Sequence, residues 1–590
     1  MKFLKKTFAY ILPAMMVLGG ATACTDFIEI DPENKVPEQG VDFTNKNNMY
    51  QPVVGAYSKV RTQGMHWCNA LLMFTRDGDV WSGRTDDQGD AVTFGRKFNY
   101  NNSFWALNQV WMNFYDIIRI TNAALQSLDS YAEHLAAGSE DYKTYESYCG
   151  EVRTIRAWAY YCLVTNFGPT VIYRDNLQTD FRRSTVDAVY NYMLEDLNYA
   201  IDKLPRMRPN QMEHKGAVTA FTAQALAARV YLLKGDYAQV ETLTDDIIKN
   251  GGFRLYDDFY QLFKIPGKLC DESLFECQVT DYGNGSGDYL GVDQWFNFQG
   301  PNMAEKYVEV VNADGTISYK QAEGAKSIGG WNFIGYEPEF VAWAEARGEG
   351  VRAETSFLKA LSKTREGWQV GPTSATKTDC WNGKGYLPYN QMTLPRTTYG
   401  ANNNVRIIRY AEVLLMNSEA KVRLGKDGDA GYNEVRRRAG MSTKTGVTLK
   451  DVMDERRMEL CGEWCARYVD LVRTGDAATV LGPKGWTAEK TYWPIPANQL
   501  DDLPDLKLEP IDGIAESIRS NMVKRFLISC GIAFAALAAK ATPDDSIKVV
   551  KGQVSDYYIT VTQDRIVKGH VLDTCLLYTS DAADDRISVD

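Results

Sequence analysis

The sequence predicts a mostly α-helical fold, a body of helical hairpins carrying long irregular loops and a few short β-strands. Three observations predict it. Apolar residues recur at helical spacing through most of residues 40–270 and 405–510. Gly/Asp turns separate consecutive helical runs in "LLKGDYAQV" and "RLGKDGDAGYNEV". Between these regions, residues 270–405 lose the pattern and become rich in Gly, Asn, Trp and Tyr.

Taken in order, Phe104 to Leu128 reads as one helix, with Trp111, Tyr115, Ile118 and Asn122 on one face. Glu151 to Val164 is a second, stopped by Gly168-Pro169. Val186 to Leu204 is a third, capped by Ser184 or Thr185 and stopped by Pro205. Thr219 to Leu233 and Tyr237 to Lys249 form a hairpin about Gly235-Asp236, and Ile407 to Leu424 with Tyr432 to Arg438 form another. Such hairpins resemble tetratricopeptide units, which stack because one pair cannot bury its own apolar face. From Asp454 a further helix is expected, with Cys461, Trp464, Cys465, Tyr468, Leu471 and Val472 as a core stripe. Glu455, Glu459 and Glu463 would line another face as helix ion pairs and surface charge. "ESLFECQV" (Glu272 to Val279) reads as a strand.

Composition narrows the function. The chain has 590 residues and a net charge of −11, which disfavours nucleic acid as a partner. Its four histidines, His66, His134, His214 and His570, are scattered, so a His-ligated zinc site or a His-based triad has little to draw on. The 11 cysteines show no CxxC spacing and read mainly as buried free thiols. Asp-Gly-Asp at 77–79 and 427–429 offers oxygen ligands of the kind calcium takes, but neither segment completes a twelve-residue loop, and both read as solvated turns.

The N-terminus reads as an export signal. Lys2, Lys5 and Lys6 precede an apolar run from Phe8 to Leu18, too short to cross a bilayer. Ala21-Thr22-Ala23-Cys24 then resembles a bacterial lipobox, with Ala21 where Leu is common. On that reading residues 1–23 are removed and Cys24 carries acyl chains that anchor residues 24–510. The C-terminus is read differently. Within residues 511–590, "MVKRFLISCGIAFAALAAKA" (522–541) is a second signal-like segment, and "CLLYTSDAADD" looks like translated sequencing adapter. The expectation is a fused neighbouring reading frame.

Seven segments in order resemble one family. They are "WMNFYDIIRITN", "GEVRTIRAWAYYCLVTNFGP", "RRSTVDAVYNYMLEDLNYAI", "RIIRYAEVLLMNSEA", "NEVRRRAG", "DERRMELCGEWCARYVDLVRTG" and "YWPIPANQL". Together they resemble the SusD/RagB nutrient-uptake lipoproteins over residues 24–508. The resemblance implies a tetratricopeptide-like helical body, lipid-anchored at the outer membrane and facing out. It implies a SusC-like TonB-dependent transporter as partner, an oligosaccharide (or, in some members, a peptide) as ligand, and no catalysis or cofactor. A helical glycoside hydrolase is the enzymatic alternative and needs two carboxylates roughly 5–10 Å apart in a cleft.

Sugar rings need exposed aromatics to stack on and nearby polar groups for their hydroxyls. Two loop regions supply these. The first offers Asp79, Trp81, Arg84, Asn99, Tyr100 and Asn101; the second offers Tyr282, Tyr289, Trp295 and Trp331. Trp368, Trp381 and Tyr389 are further candidates.

Overall fold

The computed structural model describes residues 41–82, 89–279, 293–373, 379–392, 403–464 and 466–515, with three strands between 547 and 567. The leader with Cys24, candidate residues Arg84, Tyr282 and Tyr289, and the segment 522–541 lie outside the described residues.

The main unit is built on long helices whose ends the sequence marks. Helices α1 (Gln51–Lys59) and α2 (Trp67–Phe74) lead into α3 (Trp105–Ala132), α4 (Glu140–Phe167) and α5 (Val186–Lys203). Ser139 caps α4 by accepting the Tyr142 N–H, and Glu140 and Asp141 complement its positive end. Gly168 ends it at φ 69°, where a side chain would collide with the Tyr492 ring. Helix α6 (Ala220–Lys234) starts with a Thr219–Thr222 capping box and ends at left-handed Gly235. Asp236 then caps α7 (Tyr237–Asn250), so the predicted hairpin is present. Successive helices from α3 to α7 pack side by side.

The chain leaves the helical frame after α7 and returns at α10. Strand β2 (Ser273–Cys277) pairs antiparallel with β11 (Val405–Arg409), with Val405 opposite Cys277 and Arg409 opposite Ser273. The predicted helix from Ile407 therefore begins as a strand; α10 is Tyr410–Arg423. It packs on α7, α11 (Asp429–Arg438) and α12 (Leu449–Glu459). Gly431 of α11 lies where any side chain would meet the Leu414 carbonyl and Ser418 hydroxyl, which accounts for the close approach of the two helices.

The helix expected from Asp454 is in fact two. Helix α12 stops at Glu459, and α13 starts at Ala466 and runs to Thr474. Between them Gly462 takes φ 65°, and a side chain there would meet the Tyr336 hydroxyl and the Asn382 amide. Cys461, Trp464, Tyr468 and Leu471 are still core residues, but they reach the core from both sides of the break.

The region between β2 and β11 holds more regular structure than its composition suggests. Strands β1 (Val80–Ser82), β7 (Ile334–Tyr336), β10 (Cys380–Asn382) and β8 (Phe357–Lys359) form an antiparallel sheet in that order. Because β1 comes from the N-terminal part, this sheet stitches the insert to the frame. A small ribbon places β3 (Met303–Ala304) between β6 (Ser327–Ile328) and β9 (Gln369–Val370); helix α8 (Asp293–Gln299) precedes it, β4 (Tyr307–Val311) and β5 (Ile317–Gln321) pair as a hairpin, and α9 spans Pro338–Ala346. The second unit contains an antiparallel meander of Ile547–Lys551, Tyr557–Val561 and Arg565–Val567. No helix among the described residues is long and apolar enough to cross a membrane.

Candidate functional site

The motif segments converge on a buried charge seam. Arg409, at the end of β11, reaches Glu272 at 2.8 Å, Glu459 at 2.6 Å and Glu463 at 2.7 Å. Arg438 pairs with Glu272 at 2.9 Å and also holds Glu459. Arg352 pairs with Glu455 at 2.6 Å and Glu349 at 2.8 Å, and Lys384 pairs with Glu463 at 2.7 Å. Glu455 and Glu459 are completely buried, which corrects their reading as surface charge. Burial alone would raise the Glu459 carboxyl, but Arg438, Arg409 and Arg352 outweigh it and hold it at about 2. Glu463 is lowered in the same way by Arg409 and Lys384. Carboxylates tied this closely to cations serve neither as acid nor as base near neutral pH.

The first candidate loop region is also largely committed to structure. The Asp79 carboxylate accepts two bonds from Arg457, at 2.7 and 2.5 Å, and lies 3.4 Å from Arg467. Asp77 caps the same turn by accepting the Asp79 and Val80 N–H groups. The Asp77–Asp79 turn is therefore buried and ion-paired, not solvated. The Trp81 ring lies under the Arg96 guanidinium at 4.5 Å, and Glu337 holds that arginine through two bonds. Tyr100 packs on Phe94 and donates its hydroxyl to the Lys490 carbonyl at 3.1 Å. Asn99 and Asn101 are exposed. Among the described residues no group of three or more His, Cys, Asp or Glu could hold a metal ion, and Asp429 turns its carboxylate to the Gly446 and Val447 N–H groups.

The second region divides. Trp295 is core, only 4% exposed, between Phe74 and Trp464. Trp381 is fully buried. Trp331, by contrast, is half-exposed and belongs to an aromatic corner that sequence reasoning missed in part. Its partners are Trp67, the first residue of α2, and Trp105, the first residue of α3. Trp105 is 52% exposed, the most exposed large aromatic among the described residues. Trp67 lies 5.6 Å from Trp105 at 60° and 6.3 Å from Trp331 at 85°. Phe298 forms the floor, 5.3 Å from Trp67 and stacked on Phe333 at 4.7 Å.

The corner is held in place from below. His66 caps α2 through Nδ1, which accepts the Cys68 N–H, and its ring stacks beside Trp67. Gly330 presses against the Gly300 carbonyl, where a side chain has no room. Asn332 takes φ 62°, a left-handed conformation that asparagine tolerates, and bonds back to the Gly330 carbonyl and the Asn302 N–H. Asn297 fixes the tryptophan between them. Its carbonyl accepts the Trp331 backbone N–H at 2.7 Å, and its amide, oriented oxygen-first, accepts the indole N–H at 3.0 Å. Three inclined indoles with solvent before them can stack apolar ring faces and do little other chemistry.

Comparison with known proteins agrees with the fold. A model described as "SusD family" matches residues 292–510, and one described as "Starch-binding associating with outer membrane" matches residues 26–232. A SusD-like protein of Bacteroides ovatus is 25% identical over 402 residues, covering 62% of this chain and 65% of its own length. A solved structure titled "Laminarin binding SusD-like protein" has a TM-score of 0.64 at 24% identity, covering 78% of this chain and 98% of that one. Surface glycan-binding protein A from Bacteroides thetaiotaomicron, solved with laminarihexaose, has a TM-score of 0.61 at 22% identity over 77% and 97% of the two chains. At such identities the solved structures speak for the fold. With family models matching both the N-terminal helices and the C-terminal seam, this chain belongs to the SusD family.

Proposed function

We propose that the protein is a non-catalytic cell-surface lipoprotein that captures oligosaccharides on the Trp67–Trp105–Trp331 corner and passes them to a SusC-like TonB-dependent transporter. The observation that carries this reading is the exposure of Trp105 beside two further indoles, because a contiguous exposed aromatic patch marks a binding surface more than a lone ring does. The rings are inclined at 60° and 85°, which suits a chain that turns from one sugar to the next. Relatives named for laminarin and starch binding support a glycan ligand. The absence of a catalytic role is supported by the carboxylates of the seam, each matched by an arginine or lysine. Anchoring through Cys24 at the outer membrane follows from the leader and the family.

The test is affinity electrophoresis in gels containing starch, laminarin or xyloglucan, with Trp105→Ala beside the parent. The expected result is retardation of the parent by at least one polysaccharide and a Kd weakened at least about tenfold in the variant, or about 1.4 kcal/mol. Equal retardation of both proteins would remove the corner from the binding site, and release of shortened sugars would overturn the non-catalytic reading.

A further inference from the structure

The ribbon β6–β3–β9 carries a second aromatic pair at the end opposite Trp331. Strands β6 and β9 each run antiparallel to β3 and so point the same way. Trp331 follows β6 by three residues. Lys326 and Trp368 immediately precede β6 and β9, at the other end. There Trp368 stacks on Tyr389 with centroids 4.8 Å apart at 19°, and the Lys326 ammonium lies 5.5 Å from the Tyr389 ring. Both rings are half-exposed and Lys326 is exposed, with no ion pair among the described residues. Trp368 is held by a tight turn: the Thr364 N–H donates to its carbonyl at 2.8 Å and the Thr364 hydroxyl accepts its N–H at 3.3 Å. Gly367 supplies the φ of 85° that the turn needs.

We infer that Trp368, Tyr389 and Lys326 form a second pyranose-binding subsite, engaged by the same glycan chain that occupies the tryptophan corner. The inference rests on the corner being a glycan site. Its geometric basis is span. From Lys326 to Trp331 the chain advances five residues, at most about 17 Å, so one oligosaccharide can lie across both patches. The aromatic pair offers flat apolar surface, and the unpaired ammonium offers three donors to ring hydroxyls. Two weak contacts on one chain act as a linked pair, so the second subsite adds affinity only to ligands long enough to reach it.

Chain length is therefore the diagnostic variable. Titration calorimetry would compare the parent, Trp368→Ala, Lys326→Ala and Trp105→Ala with malto-, laminari- and xylogluco-oligosaccharides, each as a trisaccharide and as a longer chain. The expected result is that Trp368→Ala weakens the longer chain at least about fivefold and leaves the trisaccharide within about twofold. Lys326→Ala, a surface change that leaves the fold alone, should weaken the longer chain in the same direction. Trp105→Ala should weaken both lengths. Unchanged affinity of Trp368→Ala and Lys326→Ala for the longer chain would overturn the second subsite while leaving the corner intact. A parent that binds none of the three series would overturn the corner, and the second subsite with it.

Discussion

The charge seam and the tryptophan corner use rare arrangements in opposite ways. In the seam, charges that belong in water are buried, and each is matched by a partner from a distant segment: Arg409 from β11, Glu272 from just before β2, Glu459 from α12. In the corner, indoles that belong in a core are left partly in solvent, Trp105 most of all. The seam pairs its charges and holds the frame; the corner leaves its rings partly uncovered. The difference teaches that the recognisable motifs of this chain mark its scaffold, whereas the proposed ligand site draws on residues that belong to no motif.

The harshest way to break the comparison is to remove one seam cation. Arg409→Met should leave Glu272, Glu459 and Glu463 each one cation short and cost about 3–5 kcal/mol in denaturant unfolding. A loss below about 1 kcal/mol would show that the seam is dispensable. The seam also sets an acid limit. Glu459 has a folded value of about 2 against an ordinary 4.5, so the unfolded chain binds more protons between those values. Its contribution is present above 4.5 and lost as pH falls toward 2.

A buried carboxylate of the opposite kind sharpens the point. Glu151 on α4, 1% exposed, accepts only the Tyr50 and Tyr57 hydroxyls, at 3.2 and 2.8 Å. Burial pushes it up to about 7, against the lowering effect of the two tyrosines. Here the folded chain binds more protons between 4.5 and 7, so the contribution is full below 4.5 and lost as pH rises through 7. Glu151→Gln should therefore raise stability by about 1–3 kcal/mol near pH 8 and leave it little changed near pH 4. Denaturant midpoints at the two pH values check this; a loss at pH 8 would mean that the charged form is needed.

The smallest effect is expected at the support of the corner. Asn297→Ala should free the Trp331 indole and weaken glycan binding by about 0.5–1.5 kcal/mol. Near-UV circular dichroism would report the loosened ring. Binding by Asn297→Ala equal to that of the parent would show that Trp331 needs no fixing.

Helices were readable wherever their ends carried chemistry. Ser139, Thr219, Gly235 and Asp236 act locally, and the residues that announce a cap are the residues that make it. The break at Gly462 was not readable, because the groups that leave no room for a side chain there, Tyr336 and Asn382, are distant in the chain. The same holds for Glu455 and Glu459, whose charge looks solvated until Arg352 and Arg438 arrive from elsewhere. Of the candidate aromatics, Trp331 was picked from a Gly-rich loop and is half-exposed, while Trp295 from a similar loop is core. Trp67 and Trp105 are hard to read as surface rings, because each opens a helix whose later residues are largely turned to the core.

The pairing of β2 with β11 fastens the base of the intervening segment, as a drawstring closes a pouch. With its two ends clasped, the exposed turns of the pouch can lengthen or shrink at little expense to the frame, since doubling a flexible loop costs only about 0.6 kcal/mol. Descendants of this chain could thus retailor the outer surface of the pouch while inheriting the frame unchanged.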